Sequence, residues 1–170
     1  SAIRDPDPVI FYEPKAIYRA FREEVPEEEE TLPIGKSQRV REGRDLTLVA
    51  YGAMMRPTLE AADELKQKHG VEADVIDLLT ISPLDDSLLA EAARQTGRVA
   101  VVHEAPRSFG PGGEIVARLV EKAFHYLEAP VARVTGYAVL IPLFNREKYY
   151  LPGVPRIIDA ARKLLAAVKE

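Results

Sequence analysis

Short apolar runs alternate with amphipathic stretches along most of this chain, and their spacing predicts a repeated strand–helix pattern. Leu46-Thr47-Leu48-Val49-Ala50-Tyr51 reads as a strand ending at Gly52. The helix expected over about residues 56–69 carries Pro57 near its first turn, where the missing N–H is tolerated, and Gly70 just past its end. Residues 73–78 form the next strand, and residues 86–95 the next helix, with Gly97 as its stop. The most apolar strand is Arg98-Val99-Ala100-Val101-Val102; a helix over 113–127 and a strand over 131–135 follow it. Residues 136–153 look irregular and lead into a last helix over 154–168. Four strand–helix alternations with short connections specify an α/β fold of three layers, a mostly parallel sheet with helices on both faces. Near-continuous apolar strands suit a sheet covered on both sides. Such a sheet binds ligands beyond the carboxyl ends of its strands.

The chain before Lys36 does not share this pattern. Val9-Ile10-Phe11-Tyr12 predicts a buried strand stopped by Pro14, and Ile17, Tyr18 and Phe21 suggest a short helical stretch. Glu23-Glu24-Val25-Pro26-Glu27-Glu28-Glu29-Glu30 then places six carboxylates in eight residues. Like charges at that density repel and Pro26 interrupts a helix, so residues 23–35 read as an exposed acidic linker. A metal site would instead need carboxylates converging from a folded scaffold. The chain opens without Met and almost at once onto a strand-like run, which is expected of a piece cut from something longer.

Composition narrows the function classes. The chain has 170 residues, of which 46% are hydrophobic and 29% charged. That is the balance of one globular domain with an arm, and it excludes wholesale disorder. A net charge of -4 offers no basic excess for duplex nucleic acid. Cysteine is absent, which removes disulfides, thiol nucleophiles and cysteine-held metals. No apolar run of about 18 residues exists to span a membrane, and the N-terminus lacks the charged-then-apolar profile of a secretory signal. The lack of cysteine leaves the redox compartment unread, with a reducing cytoplasm as the default.

The densest site-like stretch is Val102-His103-Glu104-Ala105-Pro106, followed by Arg107-Ser108-Phe109-Gly110-Pro111-Gly112-Gly113-Glu114. His103 beside Glu104 at a strand end has the chemistry of a proton shuttle. The same pair also fits a loop held by hydrogen bonds or buried in a subunit contact. The glycine-rich turn opens a helix whose amides could cradle an anion, but neither the dinucleotide nor the phosphate-loop pattern is present, and Glu114 opposes a phosphate. His69 and His125 have no ligand partner at helical spacing. Asp85 and Asp86 read as a helix cap, and Ser82, Ser87 and Ser108 lack a nucleophile-elbow setting. No complete catalytic constellation emerges.

Several runs together resemble a known family. Asp7-Pro8-Val9-Ile10-Phe11-Tyr12-Glu13-Pro14-Lys15, Glu23-Glu24-Val25-Pro26, Leu32-Pro33-Ile34-Gly35-Lys36, Asp45-Leu46-Thr47-Leu48-Val49-Ala50-Tyr51-Gly52, Val75-Ile76-Asp77-Leu78-Leu79-Thr80-Ile81-Ser82-Pro83-Leu84-Asp85 and His103-Glu104-Ala105-Pro106 are similar to the beta subunit of the thiamine-diphosphate-dependent 2-oxo acid dehydrogenases. The Phe-Tyr-Glu-Pro-Lys and His-Glu-Ala-Pro runs lean towards the branched-chain member over the pyruvate member. The resemblance implies that residues 1–22 are the last strand and exit of a truncated pyrimidine-binding domain, 23–35 the linker, and 36–170 a transketolase C-terminal-like domain. It implies thiamine diphosphate with magnesium in the complete enzyme but none bound by this chain, and it transfers no catalytic residue. Implied partners are an alpha subunit and a second beta subunit in a heterotetramer, and the peripheral-subunit-binding module of the acyltransferase core, with no nucleic acid and no membrane. The implied location is cytoplasmic, or the mitochondrial matrix in a eukaryote. His103 and Glu104 are then expected at the active-site mouth or an interface. Glu128, in Leu127-Glu128-Ala129-Pro130, matches the family's docking surface, with a solvated loop glutamate as the other reading. Ala138-Val139-Leu140-Ile141-Pro142 departs from the family's Asp-Thr-Pro pattern. The competing class is a free-standing α/β binding or regulatory module without catalysis.

Overall fold

The inner strands of the central sheet have their polar ladders satisfied on both sides and their apolar side chains sealed above and below by helices. The computed structural model describes residues 1–22, 24–25, 27 and 30–167. In chain order the elements are β1 (Gln38–Arg41), β2 (Leu46–Ala50), α1 (Met55–His69), β3 (Ala73–Asp77), α2 (Asp86–Thr96), β4 (Val99–Pro106), α3 (Pro111–Ala123), β5 (Ala132–Gly136), α4 (Glu147–Tyr150) and α5 (Val154–Ala166). The sheet order is β1-β3-β2-β4-β5. β1 runs antiparallel to β3, and the other three pairings are parallel.

The period of two along each strand sends alternate residues to opposite faces. Leu46, Leu48, Ala50, Val75, Ala100 and Val102 pack with Leu65 of α1 and Ile157 of α5. Val49, Ile76, Val99 and Val101 pack with Leu89 of α2 and Ile115 and Leu119 of α3. The three-layer α/β architecture read from the sequence is therefore present.

Helix ends fall where side-chain and backbone chemistry puts them. α1 stops at Gly70 (φ 67°), whose N–H donates to the carbonyls of Leu65 and Lys66. Glycine takes that left-handed conformation without a Cβ penalty. α2 starts at Asp85, whose carboxylate accepts from the Leu88 N–H, so the reading of Asp85 as a cap holds. The α2 face of the sheet also buries a polar group of four. The Thr47 hydroxyl lies 2.9 Å from that of Thr96 and 3.3 Å from the Asp74 carboxylate. Arg39 Nε of β1 meets fully buried Asp74 at 2.9 Å. Burial pushes the Asp74 carboxyl above its ordinary range, and the Arg39 guanidinium opposes that.

The structure departs from the sequence reading at several places. Val9-Ile10-Phe11-Tyr12 forms no strand, and Ile10, Phe11 and Tyr12 are 77%, 72% and 84% exposed. A strand needs a neighbour for its backbone groups, and among the described residues nothing pairs with this one. The helical stretch near Ile17 is a single 3-10 turn, Lys15–Ile17. Of the acidic linker, Glu23, Pro26, Glu28 and Glu29 lie outside the described residues, as does Val168 at the expected end of the last helix. β1 was not legible, β4 runs four residues further than expected, and the helix expected to reach Leu127 ends at Ala123 in a 3-10 turn, Phe124–Tyr126. The irregular segment contains α4.

Native-state hydrogen exchange should resolve this contrast. Amides of residues 9–12 are expected to exchange nearly freely, while those of Val99 to Val102, all buried, stay protected up to global unfolding. Equally slow exchange in both would place the arm in the domain's own core.

Candidate functional site

β4 carries its ladder past Val102 to Pro106, so His103 and Glu104 belong to the strand and point to opposite faces. His103 is 1% exposed. Its ring lies under the start of α3, where Nε2 accepts a hydrogen bond of 3.2 Å from the Gly112 N–H. That assigns the proton to Nδ1, which finds no partner in hydrogen-bond geometry. Tyr51, just beyond β2, lies parallel to the ring with centroids 6.3 Å apart and planes 19° off.

The glycine-rich turn exists to admit this ring. A Cβ on Gly110 would stand 2.8 Å from His103 Cε1, and one on Gly112 would collide with Nε2 itself. The imidazole thus supplies one of the acceptors that the first turn of a helix leaves wanting. Burial holds its pKa below the ordinary histidine value, with the nearby Ala105 backbone opposing and the Arg133 charge reinforcing. A neutral imidazole that accepts from an amide is a helix cap, and a cation there would lose that acceptor.

Glu104 reaches the surface, yet surrounding groups withdraw enough water to raise its carboxyl above the ordinary range, and the Glu147 carboxylate adds to the rise. Burial first, then the Glu104 charge, push the Tyr51 phenol up to about 12. The Tyr150 hydroxyl is buried without a hydrogen-bond partner, close to where a side chain on Gly136 would stand. Tyr51, Glu104, Glu147 and Tyr150 therefore gather at the carboxyl ends of β2, β4 and β5, the place where such sheets receive ligands. Sequence reasoning found Glu104 and missed the others. Tyr51 was findable, because it directly follows a strand's carboxyl end.

Glu128 is elsewhere. It follows the 3-10 turn after α3 and faces the amino ends of β4 and β5. At the usual rise per residue of a strand, that is about 20 Å along β4 from Glu104. Its carboxylate meets Arg98 Nη1 at 2.7 Å, and its N–H donates to the Gly97 carbonyl at 2.7 Å. A Cβ on Gly97 (φ 66°) would stand 2.5 Å from Glu128 Cγ, so the side chain lies over that helix stop. Both members of the ion pair are partly exposed, Arg98 at 24% and Glu128 at 34%. Solvent screening limits the worth of such a pair to about 1 kcal/mol. An ion-paired clasp thus replaces the solvated loop glutamate.

Among the described residues no three His, Asp or Glu side chains converge to hold a metal ion. The α3 N-terminus, where an anion could sit, is capped by His103 and flanked by Glu114. These residues do not by themselves fit a magnesium–diphosphate group. No described helix is long and apolar enough to cross a membrane.

A depressed His103 pKa gives a signed pH effect. Below about pH 6.5 the unfolded chain takes up a proton that the folded chain refuses, so stability falls as the pH drops from there through the lower folded value. Urea midpoints should therefore fall further between about pH 7.5 and about pH 5 for the wild type than for His103→Asn. Equal falls would mean that His103 is not held neutral.

Comparison with known proteins gives this geometry its family. Residues 35–157 match the model described as Transketolase, C-terminal domain. The chain is 46% identical over 165 residues to the pyruvate dehydrogenase E1 component subunit beta of Bacillus subtilis, covering 97% of this chain and 50% of that protein. It is 44% identical over 167 residues to the protein of that name from Acholeplasma laidlawii, covering 98% and 51%. It is 42% identical over 165 residues to the mitochondrial 2-oxoisovalerate dehydrogenase subunit beta of Dictyostelium discoideum, covering 97% and 44%. A solved structure titled as a split-gene transketolase, an inactive beta4 tetramer, superposes with a TM-score of 0.73 at 31% identity, over 87% of this chain and 47% of that one. The chain spans about half the length of the curated relatives it matches. With the family model spanning most of the sheet and helices just described, the chain belongs to the transketolase C-terminal domain family.

Proposed function

We propose that this chain is the C-terminal part of the beta subunit of a 2-oxo acid dehydrogenase, an oxidoreductase that decarboxylates a 2-oxo acid and passes the acyl group to lipoyl arms of an acyltransferase core. The observation that carries the reading is similarity of 44%, 46% and 42% along nearly the whole chain to beta subunits named for pyruvate and for 2-oxoisovalerate. In this reading residues 1–22 leave the pyrimidine-binding half, 23–35 link, and 36–170 assemble with an alpha subunit and a second beta subunit. Thiamine diphosphate and magnesium are held by residues outside this chain. The Phe-Tyr-Glu-Pro-Lys and His-Glu-Ala-Pro runs favour the branched-chain substrate over pyruvate. The bacterial relatives point to a cytoplasmic enzyme, with the mitochondrial matrix as the eukaryotic equivalent.

The burial of His103 and its duty as a cap support a role in shaping the active-site mouth or an interface, with Glu104 beside it, rather than the chemical step. The complete beta subunit bearing these residues, co-expressed with its alpha subunit, is expected to oxidise 2-oxoisovalerate more efficiently than pyruvate. His103→Ala in that assembly should lower turnover by less than about 100-fold, the low end for a lost general acid–base. A loss of about 10,000-fold in an intact assembly, or no 2-oxo acid activity at all, would reject the respective assignment. The 170-residue chain alone should show no micromolar affinity for thiamine diphosphate with magnesium in a calorimetric titration.

Glu128 is proposed to receive a basic side chain of the acyltransferase's peripheral-subunit-binding module, sharing its carboxylate with Arg98. Glu128→Gln keeps the side chain packed on Gly97 and removes the charge. It is expected to weaken module binding to the heterotetramer by about 1–3 kcal/mol, with decarboxylation to an artificial acceptor unchanged. Unaltered affinity by surface plasmon resonance would remove Glu128 from the docking surface.

A further inference from the structure

One edge of the sheet carries charge opposite to that of the chain as a whole. β5 pairs with β4, and among the described residues no strand lies on its outer side. A groove of about 550 Å³ runs between that edge and α5, and small-molecule sites span about 300–1,000 Å³. Its floor, residues 129–134, is apolar apart from Arg133. Arg107, Arg133, Arg156 and Lys163 line the groove against one carboxylate, Asp159, which Lys163 already meets at 2.7 Å. Among the described residues none of the three arginines pairs with a carboxylate.

Two of these guanidiniums are fixed in place without being neutralised. Arg133 Nη1 donates to the Arg107 carbonyl at 3.2 Å. Arg156 donates to the carbonyls of Thr135 at 2.6 Å and Tyr150 at 3.2 Å, and its guanidinium lies 4.6 Å from the centre of the Tyr137 ring. A carbonyl carries no full charge, so it holds the fork and leaves the positive charge and the remaining N–H donors unspent. Like charges kept in one groove repel, and an anion placed among them offsets that cost.

We propose that this groove binds a nucleoside diphosphate free of magnesium, with its phosphates on the arginines and its base and sugar on the apolar floor. Three unneutralised guanidiniums match the roughly three negative charges of a diphosphate chain, whereas a monocarboxylate would answer only one of them. Planar guanidinium forks take phosphate oxygens in pairs, as a lysine cannot. Arg133 and Arg156 are already immobilised, so little side-chain freedom is lost on binding. Magnesium on the phosphates would consume their charge and demand further oxygen ligands, and Asp159 is tied to Lys163. The groove therefore rejects magnesium-loaded diphosphates, in keeping with the lack of affinity expected for thiamine diphosphate with magnesium.

The test is calorimetric titration of the 170-residue chain with ADP, AMP, adenosine and inorganic pyrophosphate in the presence of EDTA. ADP is expected to bind about tenfold more tightly than AMP, which lacks a phosphate, and than pyrophosphate, which lacks the base; adenosine should give no saturable heat. Arg107→Gln with Lys163→Gln, on side chains exposed to solvent, should raise the ADP dissociation constant at least about tenfold. Arg44→Gln, an exposed cation near the far edge of the sheet, should leave it within about twofold. Absence of ADP binding would overturn the proposal. So would AMP or pyrophosphate matching ADP, an unaltered affinity in the groove variant, or an equal loss in the Arg44 variant. Excess magnesium added to the wild type supplies a check that needs no variant to fold: it should abolish binding, and magnesium that strengthens binding would reject the site.

Discussion

The dryness of the central strands is the constraint from which the rest of the molecule follows. All five residues of β2 are buried, as are the first five of β4. Backbone groups there have no water to fall back on, so each must pair with a neighbouring strand. Parallel ladders between β3, β2, β4 and β5 meet that demand. Helices must then cover both faces. What remains for recognition is the strand ends and the two sheet edges, and the polar features of this protein lie there.

The two edges are finished differently. β1 is held at its edge by Arg39, which crosses to buried Asp74 and continues to Glu91 on α2 at 3.0 Å. A buried ion pair of this kind is weak as a source of stability, because desolvation of both charges consumes most of the attraction. It is strong as a selector of register. A one-residue slip of β1 would carry Arg39 to the other face and leave Asp74 charged and alone. Among the described residues β5 shows no comparable buried ion pair; Arg156 of α5 donates to its Thr135 carbonyl, and Lys163 and Asp159 stand with Arg156 over a groove. One edge is thus closed by charges that neutralise each other, and the other is left with an excess of one sign.

The fold was legible where local rules act alone. Gly70, Gly97 and Asp85 mark helix ends through φ or a cap, and the apolar runs gave four of the five strands. β1 was hidden because Gln38-Arg39-Val40-Arg41 has one apolar residue, and its identity as a strand depends on a carboxylate far along the chain in β3. The converse error was Val9-Ile10-Phe11-Tyr12, whose β-forming composition says nothing about whether a partner strand is at hand. At the site, the same limit applied. His103 and Glu104 looked like one pair in the sequence, but alternation along β4 sends one into the core and the other outward. The requirement for Gly112 came from an imidazole nine residues back, and that for Gly110 from the same ring and the Pro106 carbonyl. Glu128 was singled out by position, while its Arg98 partner could be seen only after α3 had folded back.

Placing Glu128 and the His103–Glu104 pair at opposite ends of β4 has a mechanical consequence for the proposed role. A partner held at Glu128 touches the stop of α2 and the entry of β4, whereas the tyrosine–carboxylate cluster touches the exits of β2, β4 and β5. The body of β4 between them is in register with two neighbours. Close packing on both faces lets it transmit position well and bend little. Docking at the amino ends therefore leaves the geometry of the carboxyl ends undisturbed. In the proposed role, that separation suits a beta subunit docked at one end of β4 and working at the other.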